Sequence, residues 1–232
     1  MTKIAIVNEK SKYTYAQFQD EINRCTSILE KYCVNSGTKL GLKLADHASF
    51  LALLLAGYLL DATIIPIYVN VGEEKMSHII DELNINILIS DSANRDEIDE
   101  VFSSMDKELY LSVESGYRND LDDDVALIMM TSGTTNKSKG VMLTTGNISS
   151  NVESIYHYLQ LENDDNVLIV KNTNHISTIV GEMLVSIYAG VTLVFNGNVI
   201  RMNNIDRLIE QYRVTVFFAV PYLLQRMLLD GK

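Results

Sequence analysis

Along the whole chain, short runs rich in Ile, Val, Leu and Phe alternate with segments of helical length. That alternation constrains the fold more than any other feature. A β-rich run followed by a helix and another β-rich run winds as a βαβ unit, and repeated units build a mainly parallel sheet covered by helices. The fold class expected is therefore α/β, with stacked, mainly parallel sheets and flanking helices. Strands are expected at residues 3–7, 12–15, 39–44, 63–67, 85–90, 125–130, 167–170, 191–195 and 214–218. Helices are expected after Thr14, whose hydroxyl suits an N-cap, and over 49–60, 73–83, 147–159 and 221–229. Residues 46–160 are expected to form a first α/β subdomain, and residues 1–45 with 161–232 a partial second one.

Composition supports a buried core, with 47% apolar and 21% charged residues over 232 positions. The longest apolar stretch, Ala48 to Leu60, is too short to span a bilayer, and it reads as a buried helix followed by Asp61. The start of the chain does not carry a secretory-signal pattern, so the expected compartment is the cytoplasm. Cys25 and Cys33, eight residues apart in a helical pattern, read as two buried thiols on one helix face. A formal charge of −11 opposes general binding to nucleic acid or anionic membranes, which needs clustered Lys and Arg.

The acidic residues are unevenly spread. Twelve carboxylates fall between Asp91 and Asp124, which reads as a solvated hairpin or loop region. By contrast, Val125 to Val152 contains no Asp or Glu, yet it contains Lys137 and Lys139. Within that window the strand ending at Met130 runs into Thr131-Ser132-Gly133-Thr134-Thr135-Asn136-Lys137-Ser138-Lys139-Gly140, with a helix expected shortly afterwards. Small residues let backbone N–H groups converge on an anion, hydroxyls donate further hydrogen bonds, and a Lys ammonium offsets ligand charge. Gly133 and Gly140 are expected to supply unusual backbone angles. The spacing is not that of the common P-loop, and composition by itself leaves a water-facing turn equally open.

The order of these residues resembles the signature loop of the adenylate-forming superfamily, T-[SG]-G-[ST]-T-G-x-P-K-G-V. Thr131, Ser132, Gly133, Thr134, Thr135, Lys139, Gly140 and Val141 are in register, while Asn136 and Ser138 replace the usual glycine and proline. Further patches are similar in the same order: Tyr13-Thr14-Tyr15, the strand ending at Pro66, Gly190 to Val194, and Val214 to Pro221. The resemblance implies an enzyme that joins a small carboxylic acid to the α-phosphate of ATP with Mg²⁺ assisting, then passes the acyl group to a thiol of CoA or a carrier protein. It implies that Thr131, Ser132, Gly133, Thr134, Thr135 and Gly140 cradle the β- and γ-phosphates while Lys139, the candidate catalytic residue, supports their charge. It also implies that His175, fifteen residues before Gly190, borders the acid pocket, although Thr178 stands where the family has glycine.

No acid occurs between Asp165 and Glu182, where relatives that activate amino acids carry an aspartate, so a plain carboxylic acid is favoured. His47, His78 and His157 show no metal-ligand spacing and are expected to be structural. The later family motifs, which hold the adenine, the ribose and most of the Mg²⁺ contacts, have no room here. The chain is expected to be the N-terminal part of such an enzyme, inactive alone and needing a C-terminal portion or a complementing chain. The alternative is a non-catalytic nucleotide-binding or interaction module with the same fold.

Overall fold

Side chains alternate faces along a strand, and in this chain the two faces of each central strand feed different cores. In the computed structural model, which describes residues 3–8, 11–93, 98–114, 124–131, 139–195 and 202–230, Leu40 and Leu42 point into one core. A side chain at Gly41, between them, would meet Ile67, Ile85 and Leu88 on the other face. Both faces are apolar, as strands covered on both sides require.

The chain starts with β1 (Ile4–Asn8) and β2 (Ser11–Thr14), then α1 (Tyr15–Lys31), β3 (Lys39–Lys43), α2 (His47–Leu59), β4 (Thr63–Pro66), α3 (Glu73–Leu83) and β5 (Ile87–Ser90). A hairpin of β6 (Glu100–Ser104) and β7 (Lys107–Val113) precedes β8 (Val125–Thr131), β9 (Lys139–Thr144) and α4 (Thr145–Leu159). After β10 (Asn166–Ile169) come α5 (Ile176–Thr178), a π-helical turn over Ile179–Leu184 and α6 (Val185–Ala189). The last elements are β11 (Thr192–Phe195), α7 (Met202–Tyr212), β12 (Val216–Phe217) and α8 (Pro221–Asp230).

The described residues form two sheets. One has the order β6-β7-β5-β3-β4-β8-β9, and the other β12-β10-β11-β1-β2. Pairing is parallel among β5, β3, β4 and β8 and among β12, β10, β11 and β1; the antiparallel pairs lie at the edges. The α/β expectation holds. Strand β3, grouped from sequence with residues 1–45 and the second subdomain, pairs instead with β4 and β5 in the seven-stranded sheet. Its register extends the apolar face that α2 covers, which the chain order alone does not show.

The layers follow from the cores. Residues of α1, α2, α4 and the segment Ile179–Val185 form one core with the inward faces of both sheets. Helix α3 closes the outer face of the larger sheet, and α7 and α8 close the outer face of the smaller. Helix α2 is buried from His47 to Leu54, as its unbroken Ala/Leu content requires. Gly57 lets it lie against β4, because a Cβ there would come within 2.4 Å of Ile64 Cδ1.

The two thiols part company. Cys25 is buried in α1, whereas Cys33 is exposed. Helix α1 ends at Lys31 and Cys33 takes a left-handed conformation with φ 57°, so helical spacing no longer applies. The acidic stretch does contain a hairpin, β6 with β7. Among the described residues no helix is long and apolar enough to cross a membrane.

Candidate functional site

The loop singled out by sequence closes a hairpin. Strands β8 and β9 pair antiparallel, and the last pair, Thr131 with Lys139, forms the base of the connection. The strand-to-helix setting expected for this loop is therefore corrected: β9 intervenes, and α4 begins only at Thr145. β9 was missed because Val141 and Met142 are both exposed on an edge strand, so no alternation marks it. Ser132, Gly133, Thr134, Thr135, Asn136 and Ser138 lie outside the described residues.

Gly140 serves the hairpin differently from the expectation. It is not among the positive-φ glycines; instead a Cβ would sit 2.8 Å from Ile128 Cγ2 and 3.6 Å from Leu83 Cδ2. Its lack of a side chain lets β9 lie close to β8 beside Lys139. The connection departs from the carboxyl end of β8, which is parallel to β4 and β3. This is the edge at which open α/β sheets bind ligands.

His175 lies beyond β10 on the same edge of the second sheet. It is exposed and caps α5, its carbonyl accepting from Thr178 N at 2.9 Å and Ile179 N at 3.2 Å. The backbone role is structural, and the ring is open to solvent. His47, by contrast, is buried and stacks on Phe195 with ring centroids 5.5 Å apart. Its Nε2 lies 2.9 Å from the Lys171 carbonyl. Burial pushes its pKa down, against the raising effect of that carbonyl, so the ring bridges the two sheets in its neutral form.

A cavity of about 390 Å³ lies between α4 and the segment that begins at Ile176, and His175 is not among its lining residues. Leu143, Ile148, Ile155, Val180 and Phe218 supply its apolar walls, and Lys171 and Glu182 also line it. Lys171 Nζ pairs with Glu182 and lies 3.2 Å from Ser177 Oγ. Glu182 is 1% exposed. Burial raises its pKa to about 7, while the lysine opposes the rise. Neither Lys171 nor Ser177 was singled out from sequence, and Glu182 only as the end of an acid-free interval. A lone acid within the apolar run Ile179–Leu184 was the available signal. Among the described residues no cluster of three or more His, Cys, Asp or Glu could hold a metal ion.

Two helix-covered, mainly parallel sheets, with the connection between β8 and β9 at the carboxyl edge of one and a mainly apolar cavity at the edge of the other, define a layered α/β class. Within that class the chain belongs to the AMP-binding enzyme family, which matches residues 1–232. It is similar to a feruloyl-CoA synthase of Amycolatopsis sp, with 25% identity covering 91% of this chain and 44% of that one. Solved structures that share the fold include those of two enzymes. One is the o-succinylbenzoate CoA synthetase MenE of Bacillus subtilis in complex with the acyl-adenylate OSB-AMP, at TM-score 0.81 and 23% identity, covering 99% of this chain and 61% of that one. MenE has also been solved with ATP and magnesium ion, at TM-score 0.78 and 21% identity, over 97% and 62% of the two chains. The other is ATP-bound MatB of Rhodopseudomonas palustris, at TM-score 0.84 and 22% identity, covering 97% and 48%. The chain thus spans about half the length of the curated relatives it matches.

Proposed function

We propose that this chain is the phosphate- and acid-binding part of an ATP-dependent ligase that activates a small carboxylic acid as its adenylate and then passes the acyl group to a thiol, of CoA or a carrier protein. The observation that carries this reading is the hairpin that begins and ends at Thr131 and Lys139, in a chain that belongs to the AMP-binding enzyme family.

In the proposed reaction an acid oxygen attacks the α-phosphorus of ATP, the bond to the bridging oxygen breaks, and pyrophosphate leaves with that electron pair. The protein's part is positioning and charge stabilisation. Thr131, Ser132, Gly133, Thr134 and Thr135 donate to the β- and γ-phosphates through backbone N–H groups and hydroxyls. Gly140 lets the hairpin close, and Lys139 offsets the charge of the leaving pyrophosphate. The absence of carboxylates from Val125 to Val152 spares the anion local repulsion. Mg²⁺, when bound, would neutralise phosphate charge; among the described residues no cluster of three or more His, Cys, Asp or Glu could hold it. The cavity between α4 and the segment that begins at Ile176 takes the non-reacting part of the acid, with His175 one residue before its rim.

Calorimetric titration of ATP into the chain tests the loop. Changing Lys139 or Thr134 to Ala should weaken binding about tenfold, in line with loss of a charge-assisted hydrogen bond; affinity unchanged in both variants rules the loop out. Pyrophosphate exchange by these 232 residues alone should be close to background, and robust turnover would contradict the proposed division of labour.

A further inference from the structure

Lys171 stands two residues beyond β10 with its side chain 21% exposed on a cavity whose other walls are mainly apolar. An ammonium has three N–H donors. Among the described residues one is directed to the Glu182 carboxylate and one to Ser177 Oγ at 3.2 Å, which leaves a third for the cavity. Glu182 is held within the π-helical turn Ile179–Leu184 and is itself buried. It therefore holds the ammonium at the cavity wall with little of its own surface exposed. Insertions of this helical type recur at functional sites, and here the turn sets a charged side chain where the flanking residues are apolar.

We infer that Lys171, oriented by Glu182 and Ser177, is a specificity-determining residue that selects acids carrying a hydrogen-bond acceptor oxygen in the part of the molecule away from the reacting carboxylate. This inference rests on the cavity being the acid pocket. An alkyl chain of the same length covers the third N–H without replacing the water it displaces, whereas a carbonyl, hydroxyl or carboxylate oxygen accepts from it. Sites built to hydrogen-bond a substrate group discriminate strongly against the analogue that lacks it. A hydrogen bond from the ammonium is accepted by neutral as well as charged oxygens, so the favoured group need not be charged.

The test compares binding of hexanoate and 5-oxohexanoate, equal in chain length, to the 232-residue chain by ligand-observed NMR titration. The oxo acid should bind at least about fivefold more tightly. The double variant Lys171→Met, Glu182→Gln removes both charges together, leaving no unpaired buried ion, and should bring the two affinities within a factor of about two. Circular dichroism and ATP titration of that variant establish that it folds and keeps the phosphate site. Equal affinities for the two acids in the unaltered chain, a preference that survives the double change, or no binding of either acid would each overturn the inference. Intact ATP binding alongside such a result would leave the proposed adenylation chemistry standing.

Discussion

At Gly140 the missing side chain matters more than backbone freedom. A Cβ would lie 2.8 Å from Ile128 Cγ2, and Ile128 is β-branched and stiff at χ1, so the contact is not relieved by swinging a flexible end away. Gly140→Ala should lower stability by about 1–3 kcal/mol, the usual cost of overpacking. Urea denaturation checks this. The coupling is also specific: in an Ile128→Ala background the same substitution should cost less, by about 1 kcal/mol, because its clash partner is gone. Equal costs in the two backgrounds would refute the steric explanation. Sequence marked Gly140 as important; only the register of β8 with β9 shows why.

At the scale of elements, the start of α2 ties the sheets together. Asp46 caps the helix, accepting from Ser49 N at 2.8 Å, and its other oxygen accepts from Asn8 Nδ2 at 2.8 Å. Asn8 ends β1 in the smaller sheet, while α2 follows β3 of the larger. Replacing Asp46 with Ala removes the cap, worth about 1 kcal/mol, and leaves a buried Asn8 donor unsatisfied at about 1–3 kcal/mol more. A loss of about 2–4 kcal/mol in guanidinium denaturation is expected, and Asp46→Asn should recover part of it. The Ala/Leu content announced α2, yet its partner across 38 residues belongs to another sheet. The edge strand β9 and the π-helical turn, likewise, follow from neighbours that no local pattern names.

For the whole molecule the dominant electrostatic fact is an excess of acid, 30 Asp and Glu against 19 Lys and Arg. Glu182 runs against the usual behaviour of surface carboxylates. Its folded pKa is raised from 4.5 to about 7, first by burial, so the folded chain holds this proton more tightly than the unfolded one. The stability it contributes is full below about pH 4.5 and declines as pH rises to about 7, by up to about 3 kcal/mol. Denaturation midpoints across that window should fall more steeply for the unaltered chain than for Glu182→Gln. Parallel pH profiles for the two proteins would show that Glu182 does not carry the dependence.

The sequence by itself determined the α/β class, most of the strands and the order of motifs that resembles the adenylate-forming superfamily, because alternation and loop chemistry are local and leave a local record. Tertiary structure decided the rest. It moved β3 into the larger sheet, paired the strands on either side of the Thr/Ser/Gly segment as a hairpin, exposed Cys33 and set Lys171 beside Glu182 on a cavity. Each of those depends on which faces meet across long stretches of chain, where burial and pairing outweigh local preference.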